Sequence, residues 1–228
     1  YMRTFNVKDE ERFKAWKEDK TTKASVSATY PHEILGLDDE ALADKMWDNL
    51  QDFMADSEEN ILPMIDVSGS MWGLPLSIAI GLGMYLSERN KGSFKNRYLT
   101  FSETPELKGL RGDSVMERMG NISKDDWGMN TDFEKAYQLI LDLAIEFKVP
   151  QDKMPTMLLV LSDMQFDDSQ NHRQGFNTHF THMKQEYEKY GYDIYIGDQE
   201  IKSGKYGYYF NKDGKNHGLS SYLEMKKI

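Results

Sequence analysis

The sequence predicts an α/β protein: a doubly wound, mostly parallel sheet with helices on both faces. Three observations predict it. Residues 61–66 form an apolar run that closes in Asp66, and residues 156–162 form a second, followed by Asp163. Continuous apolar runs of strand length belong to strands covered on both faces. Residues 133–147 carry apolar side chains at 133, 136, 137, 140, 143, 144 and 147, a helical spacing, and helical and strand segments alternate from residue 61 onward. That alternation is what parallel strands with crossover helices require.

Taken in order, residues 8–20 are a charged helix with Phe13 and Trp16 as apolar spots, and the Thr-, Ser- and Ala-rich residues 21–30 read as a linker. Asp38 is placed to cap a helix running to about Met54, with Leu42, Met46, Leu50, Phe53 and Met54 on one side. Strand 61–66 leads to a helix over 74–88, where Pro75 suits the first turn. Strand 97–101 and a short helix near 113–119 follow. Thr131 then stands in a loop, with Asp132 a cap for helix 133–147, and strand 156–162 precedes a helix over 176–190 with Phe176, Phe180, Met183, Tyr187 and Tyr190 on one face. Residues 193–196 offer a short strand. Residues 206–215 read as a β-hairpin turning at Asp213-Gly214, and 218–228 as a closing helix.

The bulk numbers bound the function. The 228 residues include 28 basic and 38 acidic side chains, a net charge of −10, with no basic stripe. That does not look like a nucleic-acid surface. The chain has no cysteine, so a disulfide framework and a thiolate metal site are excluded. No segment resembles a signal peptide or a membrane span. The expectation is an intracellular, cytoplasmic protein with no membrane partner.

Asp66, Ser68 and Ser70 put three oxygen-bearing side chains at alternating positions after the first strand. Gly69 and Gly73 let the chain curl so that these groups converge. Hydroxyl and carboxylate oxygens are hard ligands suited to Mg²⁺, Mn²⁺ or Ca²⁺. The alternative is that the same residues cap the following helix. On its own the short motif leaves both open. Trp72, two positions after Ser70, is placed at the mouth of such a site. His172, His179 and His182 lie close together but lack the further ligands of a transition-metal site. Asp167 and Asp168 read as a solvated helix start, and Tyr206, Tyr208, Tyr209 and Phe210 as cross-strand packing.

Asp-x-Ser-x-Ser after a strand, a Thr in a later loop and an Asp after another strand resemble the metal-ion-dependent adhesion site (MIDAS) of a von Willebrand factor A (vWA) domain, a Rossmann-like fold. By that resemblance the metal residues are Asp66, Ser68, Ser70, Thr131 and Asp163. The two serine hydroxyls would bind the cation directly, Thr131 and the aspartates directly or through water, and one position would stay open to a partner. Pro-His-Glu-Ile at 31–34, Asp-Val-Ser-Gly-Ser-Met at 66–71, Thr-Phe-Ser at 100–102, Trp-Gly-Met-Asn-Thr-Asp-Phe at 127–133 and Ser-Asp-Met-Gln-Phe-Asp at 162–167 narrow it further. Together they resemble the C-terminal half of an uncharacterised eukaryotic and viral family distantly similar to TROVE and Ro-type RNA-binding proteins. This implies that residues 1–58 are the end of an upstream helical domain and that the chain is a portion of a longer protein. Residues 59–228 would be the vWA-like domain, with 191–228 departing from the family.

The function expected is a protein-binding module, not an enzyme, in which a bound Mg²⁺ (or Mn²⁺ or Ca²⁺) completes its coordination with an exposed Asp or Glu of a protein partner. The motif positions hold no His, Lys or Cys that would serve as general base or nucleophile beside the metal. An alternative is a ribonucleoprotein component whose RNA contacts lie in the upstream region. A third reading is a Mg²⁺-dependent phosphotransferase: Asp-x-Ser-Gly-Ser after an apolar strand also resembles the first motif of haloacid-dehalogenase-type phosphotransferases, which would make Asp66 the nucleophile, but Ser68 stands where most of that superfamily has a second Asp.

Overall fold

The computed structural model describes residues 9–19, 21–124, 132–162, 182–193 and 208–209. Three helices come first: Glu10–Glu18 (α1), Pro31–Leu35 (α2) and Glu40–Asp48 (α3). They start where the local chemistry permits. The carboxylate of Asp9 accepts from the Arg12 amide at 3.2 Å, Pro31 opens α2, and Asp39 accepts from the Leu42 amide at 3.0 Å. Strand Ile61–Ile65 (β1), helix Leu74–Arg89 (α4), strands Arg97–Thr100 (β2) and Leu107–Gly109 (β3) and helix Val115–Ser123 (α5) follow. Helix Phe133–Glu146 (α6), strand Met157–Leu161 (β4), a helix over 182–189 (α7) and the short strand Tyr208–Tyr209 (β5) complete the described elements.

The strand order is β3-β2-β1-β4-β5. β1 pairs in parallel with both β2 and β4, Met64 opposite Leu99 and Ile65 opposite Leu161, while β3 and β5 join antiparallel at the edges. The sheet is therefore mixed, with a parallel centre, where the sequence suggested one mostly parallel. At the β3 edge the cause is the connection: residues 101–106 are too few for a crossover, so the chain can only turn back on itself. Chain order reverses about β1, which makes the C-terminal ends of β1 and β4 a topological switch point.

Side-chain alternation divides the interior into two cores. Ile61 and Ile65 of β1, Tyr98 of β2 and Leu159 and Leu161 of β4 face one way and pack with helices α1 to α5. Leu62, Met64, Leu99, Leu158 and Val160 face the other way, against Ala136, Ile140, Leu141 and Ala144 of α6 and Met183 and Tyr187 of α7. Helices thus cover both faces, as the continuous apolar runs imply. On the first side α2 and α4 meet closely at glycine: a Cβ on Gly81 would stand 2.8 Å from the His32 backbone nitrogen. Trp47 of α3 donates to Glu88 of α4 at 2.7 Å, and the Tyr85 hydroxyl donates to the Gln51 carbonyl at 2.7 Å.

Several expectations are corrected. Residues 21–30 are not a free linker, because Ala24 and Val26 are buried in the first core. Asp39, not Asp38, caps α3, and α3 ends at Asp48, with Phe53 exposed. Phe147 is 69% exposed, so the apolar face of α6 ends one turn earlier than its spacing suggested. The predicted hairpin is described only at Tyr208–Tyr209, which pair with β4; its turn and the rest of 194–228 lie outside the described residues. Among the described residues no helix is long and apolar enough to cross a membrane.

Candidate functional site

At the switch point the β1–β4 ladder runs one residue past the strands, the Asp66 amide donating to the Leu161 carbonyl at 3.0 Å. The Asp66 side chain is 2% exposed and both of its oxygens are engaged. Oδ1 accepts the Ser68 amide at 2.8 Å, and Oδ2 accepts the Ser162 hydroxyl at 2.5 Å. The chain then tightens into a single 3₁₀ turn, Gly69–Met71, pinned by the buried Met71 side chain. Gly73 follows at φ 90°, a conformation that favours glycine, and frees the chain to start α4 with Pro75 in its first turn.

This turn presents the Ser68 and Ser70 hydroxyls side by side, their oxygens 3.1 Å apart, with Ser68 half-buried and Ser70 exposed. Beside them Trp72 is 84% exposed and Leu74 60% exposed. The competing reading, that the polar cluster caps the next helix, does not survive. The residue before α4 is Gly73, and neither the 3₁₀ turn nor α4 has a side-chain cap. Asp66 instead holds the amide of Ser68, two residues on, as an Asx turn does.

The neighbouring strand ends are polar too. Thr100 and Ser102, both buried, close β2; Thr100 Oγ1 accepts the Glu106 amide at 2.8 Å, and the Ser102 hydroxyl donates to the Thr104 carbonyl at 2.8 Å. The Asp132 amide donates to the Ser102 carbonyl at 3.4 Å, so the start of α6 docks at the end of β2. Asp132 caps α6 as its position predicts, accepting the Lys135 amide at 3.1 Å. Thr131 and Asp163 lie outside the described residues, as do His172, His179, Asp167 and Asp168; His182 is exposed. Of the five expected metal residues the structure therefore brings together Asp66, Ser68 and Ser70.

The donor set suits a hard cation. Adjacent oxygens in an octahedral shell stand about 2.9 Å apart around Mg²⁺ and about 3.4 Å apart around Ca²⁺, given their usual bond lengths. The 3.1 Å between the two serine oxygens falls between these values. Among the described residues no group of three or more His, Cys, Asp or Glu gathers around a point. That follows from the chemistry of this set, which rests on hydroxyls and contains one described carboxylate. Ser162 was not among the residues the sequence singled out. Its signal was a hydroxyl closing the second apolar run directly before Asp163, but the pairing with Asp66 spans 96 positions and is set only by strand register.

A family model described as a domain of unknown function (DUF7788) matches residues 60–196. An uncharacterized protein of Acanthamoeba polyphaga mimivirus is 33% identical over 153 residues, 64% of this chain and 27% of that protein. The chain thus spans about a quarter of that relative's length. No solved structure matches.

Proposed function

The chain belongs to the DUF7788 family, and from that premise we propose that it is a vWA-like, divalent-cation-dependent protein-binding module. The observation that carries the reading is the pair of convergent serine hydroxyls at the switch point, backed by a buried carboxylate. Ser68 and Ser70 would hold Mg²⁺, Asp66 would supply negative charge behind them, and Thr131 and Asp163 would complete the set. A bound divalent ion makes an otherwise acidic surface attractive to an Asp or Glu of a partner. Trp72 and Leu74, exposed beside the hydroxyls, supply the apolar contact that a binding surface needs around its polar centre.

A binding role fits this geometry better than phosphoryl transfer to Asp66. A nucleophile must present a free oxygen to its substrate, whereas Asp66 is 2% exposed with each oxygen holding a donor. The test is selection of a random-peptide library on the immobilised chain in MgCl₂ with elution by EDTA. Recovery of peptides that share an acidic residue, lost with Asp66→Ala, is the expected result. Binding indifferent to EDTA would remove the proposal.

A further inference from the structure

We infer that Ser162 is the positioning residue of the cation site, acting through Asp66 on the serine pair; this inference rests on the reading above. The geometry forms one continuous chain of hydrogen bonds from β4 to the site. The Ser162 hydroxyl donates to Asp66 Oδ2 at 2.5 Å, Asp66 Oδ1 accepts the Ser68 amide at 2.8 Å, and Ser68 Oγ stands 3.1 Å from Ser70 Oγ.

A carboxylate turns about its Cβ–Cγ bond, a broad torsion with no sharp preference of its own. One hydrogen bond, from Ser68, leaves that rotation soft. The second, from Ser162 on the opposite oxygen, fixes the carboxylate plane, and the plane in turn fixes where the Ser68 amide and hydroxyl sit. Burial sharpens the effect, since Ser162 is 3% and Asp66 2% exposed and water has little access to replace either partner. Ser162 itself is anchored by the parallel ladder between β1 and β4, which continues through the Asp66 amide to Leu161. The strand pairing at the centre of the sheet thereby sets the spacing of the hydroxyls beyond the C-terminal end of β1.

Partners behind a metal's direct ligands commonly change affinity by about 10–100-fold when removed. Mg²⁺ binding to the full chain would be measured by titration calorimetry for the parent, Ser162→Ala and Ser162→Thr, with urea unfolding of each in EDTA alongside. The expected result is a dissociation constant about tenfold weaker for Ser162→Ala, restored by the hydroxyl of Ser162→Thr, in chains that remain folded. A purely structural serine would lower the urea midpoint and leave the dissociation constant of the folded chain unmoved, and that outcome overturns the inference alone. Absence of Mg²⁺ binding by the parent chain overturns the cation reading and the inference with it.

Discussion

Replacing Asp66 with asparagine should reverse the order of stability between two buffers. Among the described residues the buried carboxylate has no cationic partner, and both of its hydrogen bonds come from neutral donors. An ion held in the interior without a counter-charge forfeits several kcal/mol of hydration, of which its hydrogen bonds return a part. Asparagine has the same shape. Its carbonyl oxygen keeps the Ser68 amide, and its NH₂ can donate to Ser162 once that hydroxyl rotates. In EDTA, Asp66→Asn should therefore be more stable than the parent by ~1–2 kcal/mol, or about 2–8 °C in melting temperature for a chain of this size. In Mg²⁺ at a hundredfold excess over its dissociation constant the parent should gain ~2.7 kcal/mol that the variant cannot. Differential scanning calorimetry of both chains in both buffers reads the crossing. A variant that melts well below the parent in EDTA, or that gains as much from Mg²⁺, refutes the reasoning.

Other perturbations test the frame around the site. Gly81→Ala sets a Cβ against the α2 backbone, 2.8 Å from the His32 nitrogen, so the overpacking penalty of ~1–3 kcal/mol should exceed the ~1 kcal/mol gained in helix propensity; an unchanged or higher urea midpoint would count against this packing. Trp72→Ala should leave stability within about 0.5 kcal/mol, because the side chain is 84% exposed, yet weaken capture of acidic peptides by about tenfold or more. Burial pushes the Tyr187 hydroxyl well above its usual value of 10.0, and that hydroxyl donates to the Tyr137 carbonyl at 2.7 Å. A raised folded-state value means this stabilisation is complete below pH 10 and is lost as the pH climbs through the folded value. Tyr187→Phe should flatten that alkaline limb and lower stability at neutral pH by ~1–3 kcal/mol, measured by denaturant titration across pH.

What the sequence revealed follows the range over which each signal acts. The central strands were legible because burial on both faces demands an unbroken apolar run, as β1 shows by being buried throughout. Asp66, Ser68 and Ser70 were legible as a cluster because their convergence is made by the local turn. Whether the cluster caps the next helix was not, since a cap and a cation site draw on the same residue types; Gly73 in the capping position, with no side-chain cap on α4, is what speaks against the cap. β3 left no signal because three half-buried residues, Leu107–Gly109, are too few to show a period. Ala24 and Val26 were misread because small residues among Thr and Ser look like linker until a partner surface covers them. The Ser162–Asp66 pairing, the longest-range of these features, was the least visible.

The contact of α2 and α3 with α4 bears on how portable the α/β unit is. The family match begins at residue 60, but the hydrophobic interior does not. Ile34, Leu35, Ala43 and Trp47 are buried in the same core as Ile80, Met84 and Tyr85 of α4. A piece trimmed to the family boundary would carry the whole β1 turn and yet leave the outer wall of α4 bare, an apolar patch of the kind that makes a protein adhere to itself. Excised there, the unit would be recognisable in sequence and insoluble in the tube, so any fragment meant to work alone should begin ahead of α1.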